Sequence, residues 1–290
     1  MRGDGSIRAA PAPLAPPGLD AADQGSPTTR RSPPSALMAS LKAGGDLALF
    51  LDIDGTLLDL APRPELVVVP PELPQRLRVM AQALGGALAL VSGRPLAGID
   101  HLFPPELDAV GTHGAEWRLG GQRGEIPSAG GISLAEVAAR LREEARRLAG
   151  IWLEPKPRGF AIHYRQAPEL AALTRRLGEE ALASLGPDYR LQAGKEVVEI
   201  LPAQASKGAA IRRFLAHPPY AGRTPVFAGD DLTDEDGFAV VNELGGVSIR
   251  VGPGDGTRAR FRLATPAGLR DWLVQLAGLS WFHSSSGGQT

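Results

Sequence analysis

The chain has 290 residues, 43% of them hydrophobic and 22% charged, with a formal net charge of −1 and no cysteine. That length holds one large domain or two modest ones, and the near-neutral charge gives no electrostatic reason for a nucleic-acid or membrane partner. The lack of cysteine excludes disulfides, thiolate nucleophiles and thiolate zinc sites, and agrees with a cytoplasmic location.

Residues 1–40 are rich in Pro, Ala, Gly and Ser without helical or strand periodicity, and read as a flexible extension. Arg30-Arg31 is followed by Ser32-Pro33-Pro34 and a mixed segment, not by the continuous apolar stretch of an export signal. No run approaches the roughly 18 apolar residues of a membrane span. Leu47–Leu51 is an unbroken apolar run, the mark of a strand buried on both faces, and it ends at Asp52-Ile53-Asp54-Gly55-Thr56. A helical pattern covers 72–84, and a second apolar run, Ala87–Val91, ends at Ser92-Gly93-Arg94.

The rhythm changes over 115–203. There the pattern predicts a helix (Leu134–Leu148), two strands (Ile151–Glu154 and Gly159–Tyr164), a helix (Pro168–Leu185) and two more strands (Tyr189–Gln192 and Glu196–Leu201). The first rhythm then resumes with a helix over 207–216 and a third apolar run, Pro225–Ala228, ending at Gly229-Asp230-Asp231. A helix over 233–243, a strand over Gly246–Val251, a helix over 266–278 and a tail over 281–290 follow. Strands alternating with helices predict an α/β fold, a Rossmann-like parallel sheet built from 41–114 and 204–280. The segment 115–203 is expected to be an inserted α+β cap.

Each polar cluster follows a predicted parallel strand, at the carboxyl edge where open α/β sheets bind ligands. Asp52, Asp54, Ser92, Arg94, Asp230 and Asp231 can therefore converge. Alone, Asp52 and Asp54 read equally well as turn residues, because Asp-Gly often ends strands. An EF-hand loop is excluded, since the acidic alternation stops at Gly55. Two carboxylates spaced two apart can face one site, one as nucleophile and one as proton donor to the leaving oxygen. Gly55 lets backbone N–H groups approach a phosphate. Glu235 and Asp236 are read as the acidic first turn of a helix, but Asp230 and Asp231 directly follow a strand. Mg²⁺ takes one or two carboxylates plus phosphate oxygens and waters, which Asp52 and Asp230 can supply. Ser92 offers a hydroxyl and Lys207 a cation for the equatorial charge of a transferring phosphoryl group.

This order of motifs resembles the haloacid dehalogenase superfamily of phosphatases. The resemblance implies an aspartyl-phosphate on Asp52, general acid/base action by Asp54, and phosphate binding by Gly55, Ser92, Gly93 and Lys207. It also implies Mg²⁺ held by Asp52, Asp54 (through its backbone carbonyl) and Asp230, with Asp231 and Asp234 around them. The segments Asp52–Leu58, Ser92–Arg94, Gly111–Glu116, His163–Arg165, Gly194–Glu199 and Gly229–Glu235 together resemble the trehalose-6-phosphate phosphatases. That closer resemblance implies a sugar phosphate substrate read by Arg94, His113, Glu116, Arg165, Lys195 and Glu199. Separately, a monomer is expected, with association with a sugar-phosphate synthase as an open option, although no residue pattern reads out the oligomeric state. For Lys195 and Glu199 a cross-strand charge pair is the competing reading, and for His163 and Tyr164 it is packing inside the cap. Three alternatives stay open from the residues: another sugar phosphate such as sucrose phosphate or a glucosyl-glycerate phosphate, phosphate transfer to a second sugar, and a non-catalytic carbohydrate-binding partner of a synthase.

Overall fold

The computed structural model describes residues 46–127, 133–194, 196–254 and 256–284, with the side chains of 277–284 outside the description. The N-terminal extension expected over 1–40, Lys195 and most of the expected tail thus lie outside the described residues. Among the described residues, no helix is long and apolar enough to cross a membrane.

The continuous apolar runs become parallel strands covered on both faces. Strand β1 (Leu47–Leu51) is buried at every position, and so is β2 (Leu88–Val91). Around them lie β3 (Asp108–Gly111), β10 (Thr224–Gly229), β11 (Val247–Val251) and β12 (Phe261–Leu263), giving the order β12-β11-β10-β1-β2-β3 with every pair parallel. Alternation along β1 sends its residues into two separate cores. Leu47, Leu49 and Leu51 join α1 (Leu73–Ala83), α2 (Leu96–Leu102) and α7 (Pro266–Ser284) on one face. Ala48 and Phe50 join α5 (Lys207–Leu215) and α6 (Glu235–Glu243) on the other. There Phe50 stacks on Tyr220 with centroids 5.5 Å apart, and Phe214 meets it edge-on at 6.2 Å. Truncating a buried Phe of this kind to Ala costs about 3–5 kcal/mol.

Strands β1, β2 and β3 step in one direction across the sheet while β10, β11 and β12 step in the other. The order therefore reverses between β1 and β10, and a ligand crevice opens at the carboxyl ends of the strands at such a reversal. Leu51 pairs with Ala228, so the two acidic clusters leave adjacent strands side by side.

The sheet then continues past β3 as an antiparallel hairpin of β4 (Glu116–Leu119) and β5 (Gln122–Glu125). A cap boundary at 115 therefore falls too early, because both of these strands pair within the core sheet. The cap proper has α3 (Leu134–Ala145), β6 (Trp152–Lys156), β7 (Gly159–His163), α4 (Ala171–Leu185), β8 (Tyr189–Gly194) and β9 (Val197–Pro202). Its four strands form one antiparallel sheet in the order β6-β7-β9-β8. One sheet face packs on α3 and α4 through Leu153, Phe160, Ile162, Ile200, Leu141 and Leu177. The alternate positions of β6 and β9 carry Trp152, Glu154, Lys156, Val197 and Glu199 on the opposite face, all of them lining the cleft.

Candidate active site

The floor of the cleft is built by strand ends and one helix start. Asp52 follows β1, with its N–H donating to Ala228 O at 3.0 Å, so its backbone extends the β1–β10 ladder. Ser206 caps α5 by accepting from Ala209 N at 3.0 Å, which places Lys207 at the first helical position. Lys207 Nζ donates to Asp52 Oδ1 at 2.7 Å and to Asp234 Oδ1 at 2.6 Å. The second oxygen of Asp234 accepts from the N–H groups of Asp230 and Asp231, each at 2.9 Å. Both Asp234 oxygens are thus engaged, and this carboxylate supports the turn that carries Asp230. Thr56 Oγ1 donates to Asp230 Oδ1 at 3.3 Å. Asp231 turns away to accept from Leu232 N at 2.6 Å, opening the helical turn into α6.

Gly55 has a φ of +82°, and a Cβ there would lie 2.2 Å from Asp230 Oδ2. Only glycine lets the loop after β1 pass this closely over the acidic cluster.

Electrostatics at the floor are unbalanced. Asp52, Asp230 and Asp234 bring carboxylate oxygens within 4.8 Å of one another, and all three residues are buried. Burial pushes the Asp52 carboxyl well above the usual range; Lys207 pulls it down, while Asp234 and Asp230 push it further up. Burial opposes charge on Lys207, but Asp234 and Asp52 outweigh it and hold the ammonium protonated above its ordinary range. Three carboxylates against one cation leave negative charge that a divalent metal ion, held by the hard oxygens of Asp52 and Asp230, would balance.

Asp54 does not point at this cluster. Its Oδ2 accepts from Arg94 Nε at 2.6 Å and its Oδ1 from Arg94 Nη2 at 2.7 Å, a bidentate pair. Arg94 Nη2 also donates to Pro64 O at 2.9 Å, tying down the 60–65 loop. Ser92 is buried at the cleft wall, its Oγ accepting from Arg94 N at 3.1 Å.

The turn after β3 holds Thr112 and His113 at φ values of 47° and 53°. Left-handed backbone at a β-branched residue is strained and persists where its surroundings over-determine it. Here His113 N donates to Ser92 O at 3.0 Å and Thr112 N to Arg94 O at 2.9 Å. The strained turn presents His113 Nε2 to Glu199 Oε2 of the cap at 2.7 Å. Lys156 Nζ also pairs with Glu199 and donates to Gly93 O at 3.0 Å. Burial pushes the Glu199 carboxyl up, but His113 and Lys156 outweigh it and hold it well below the usual range. Cap and core thus meet through a buried carboxylate held between an imidazole and an ammonium group.

The sequence-predicted residues divide accordingly. Asp52, Asp54, Ser92, Gly93, Arg94, His113, Arg165, Glu199, Lys207, Asp230 and Asp231 all line one cleft of about 620 Å³. Gly55 and Asp234 lie directly beneath it, against Asp230. Glu116 is not on the cleft wall: its Oε1 accepts from Leu96 N at 3.1 Å and Thr112 Oγ1 at 2.8 Å, bracing the start of α2. Arg165 lines the cleft but pairs with Glu196 at 2.9 Å and donates to Ala61 O and Pro62 O at 3.1 Å each. The sequence reasoning missed Trp152, Glu154 and Lys156. Their spacing of two along a strand was the available signal, since it aligns all three on one face.

A doubly wound core with an acidic cluster at its switch point, beneath an inserted α+β cap, is the architecture of haloacid dehalogenase-type phosphatases. The family model for trehalose-phosphatase matches residues 50–267. A probable trehalose-phosphate phosphatase of Sinorhizobium fredii is 49% identical over 208 residues, covering 71% of this chain and 78% of that protein. The trehalose-6-phosphate phosphatase of Escherichia coli K12 is 43% identical over 230 residues, covering 79% and 86%. Among solved structures, the C-terminal domain of the C. albicans trehalose-6-phosphate phosphatase superposes with a TM-score of 0.72 at 23% identity, over 87% of this chain and 99% of that one. The chain belongs to the trehalose-phosphatase family, and is a phosphoric monoester hydrolase.

Proposed function

We propose that the protein hydrolyses trehalose 6-phosphate to trehalose and phosphate in a Mg²⁺-dependent reaction through an aspartyl-phosphate on Asp52, the last step of trehalose biosynthesis. The observation that carries this reading is the buried cluster of Asp52, Lys207, Asp234 and Asp230 at the strand reversal, facing a polar cap across a cleft of disaccharide size. Pockets of about 300–1,000 Å³ bury most of a ligand of that class.

Asp52 and Asp230, with the Asp54 backbone carbonyl, are the residues that would hold the metal, because both oxygens of Asp234 are already engaged. A bound divalent cation balances the carboxylate cluster and stabilises negative charge on the transferring phosphoryl oxygens. Lys207 and the Ser92 hydroxyl hold the other phosphoryl oxygens. An Asp52 oxygen forms a bond to phosphorus as the bond from phosphorus to the sugar oxygen breaks, and that oxygen takes a proton from Asp54. Water then attacks phosphorus, Asp54 takes its proton, and the bond to Asp52 breaks to release phosphate. Arg94 occupies both Asp54 oxygens, so Asp54 has to leave Arg94 before it can deliver a proton. Glu199, Lys156 and His113 read sugar hydroxyls, exchanging their mutual contacts for contacts with the substrate.

Phosphate release in Mg²⁺ from trehalose 6-phosphate, sucrose 6-phosphate and glucose 6-phosphate tests the substrate. A kcat/KM at least about 100-fold higher for trehalose 6-phosphate is expected, since sites built to bond hydroxyls reject esters that misplace them. Comparable values for all three, or a preference for another ester, would remove trehalose 6-phosphate from the account.

A further inference from the structure

Resting on the reading of the cleft as a disaccharide phosphate site, we propose that Trp152 is the platform on which the sugar ring farther from the phosphate stacks. Trp152 stands directly opposite His163 in the β6–β7 register. The two rings lie parallel, 6° apart in plane with centroids separated by 3.9 Å. His163 is itself fixed by a 2.9 Å contact between its Nε2 and Glu154 Oε2. The imidazole therefore backs one face of the indole and sets its angle. Trp152 nevertheless stays 37% exposed, and it lines the cleft.

Leaving a Trp ring in water gives up the area burial that makes this residue stabilising, so an exposed ring braced from behind has to be explained by something it covers. A pyranose ring is a fitting partner. Its C–H bonds give it an apolar face and its hydroxyls a polar rim, matched here by an indole with Glu154 two residues along the same strand face. Distance assigns which sugar. Lys156, at the other end of β6, touches Gly93 O of the core at 3.0 Å, beside the phosphate end of the cleft. Trp152 lies four residues back along the strand, about 13 Å away at roughly 3.3 Å per residue. One phosphorylated ring ends short of that point, and a second ring reaches it.

Steady-state kinetics of Trp152→Ala and Trp152→Phe test the platform, with trehalose 6-phosphate and p-nitrophenyl phosphate as substrates. Loss of one aromatic stacking contact should raise KM for trehalose 6-phosphate about tenfold. Its kcat should stay within about twofold, and Phe should restore most of the affinity. On p-nitrophenyl phosphate, which has no second sugar, both variants should match the wild type. An unchanged KM for trehalose 6-phosphate overturns the proposal, as does an equal loss on both substrates, which would mark Trp152 as merely structural. If the wild type ignores trehalose 6-phosphate but cleaves another disaccharide phosphate, the substrate reading alone fails. The Trp152→Ala comparison on that ester then decides the platform by the same criteria.

Discussion

Replacing Asp52 with Asn should abolish turnover and, in the metal-free protein, raise stability. Asp52 is only 4% exposed, and its carboxylate lies within 4.8 Å of those of Asp230 and Asp234. At an effective dielectric constant of about 20, a carboxylate at that separation repels another by roughly 3 kcal/mol, and an ammonium in contact attracts it by roughly 6. Two repulsions therefore offset the single attraction of Lys207 at 2.7 Å, and loss of hydration decides the balance. That is the direction in which burial moves the Asp52 carboxyl, well above its ordinary value. A carboxyl whose folded value is raised contributes stability below its unfolded value near pH 4 and loses it as pH climbs through the folded value. Asn carries no such loss, and Lys207 keeps its 2.6 Å bond to Asp234. At neutral pH in EDTA the variant should be more stable by about 1–3 kcal/mol, and a protein of this size gains roughly 2–4 °C in Tm per kcal/mol. Adding Mg²⁺ should narrow the gap, because the wild type gains binding energy that the variant lacks. Thermal denaturation in EDTA and in Mg²⁺ is the assay. An Asn variant with an equal or lower Tm in EDTA would refute the claim that the cluster is charge-unbalanced without metal.

Lys207→Met leaves Asp52 and Asp234 buried without their shared cation, and stability measured by denaturant titration should fall by about 3–5 kcal/mol. Gly55→Ala drives a Cβ to 2.2 Å from Asp230 Oδ2 and should lower kcat about 100-fold with the fold retained by circular dichroism. Glu199→Gln should cost about 3–5 kcal/mol at neutral pH, since the buried Lys156 ammonium loses its counter-charge. The Glu199 carboxyl is held below its ordinary value, so its stability is present above about pH 4 and lost as pH falls further. Tm measured from pH 7 down to 3 should therefore drop less steeply for the Gln variant; parallel curves would remove Glu199 as the cause.

The parallel strands were legible because burial on both faces demands unbroken apolar runs, as in Leu47–Leu51, and the acidic clusters because they end such runs. The doubled helix-strand-strand layout of the cap was legible for the same reason of period. The short strands at one end of the core sheet were not. Glu116–Leu119 and Gln122–Glu125 are half-solvated and charged, so they carry no apolar run, and Asp108–Gly111 opens on a carboxylate buried against Tyr220 Oη at 2.9 Å. Side-chain partners were also hidden wherever local and distant options compete. Glu116 looks like a sugar ligand in its motif, yet a backbone N–H twenty residues away claims it. The Lys156–Glu199 pair joins β6 to β9 across the intervening β7, a relation that only the sheet order supplies.

The central claim is that Asp52 becomes phosphorylated during turnover. Acid quench of a single turnover of trehalose 6-phosphate in Mg²⁺, followed by borohydride reduction and peptide mass spectrometry, reads this directly. Reduction of the acyl-phosphate should convert Asp52, and no other carboxylate, to homoserine. Unmodified Asp52 under conditions where phosphate is released, or modification at Asp54 or Asp230 in its place, would contradict the account.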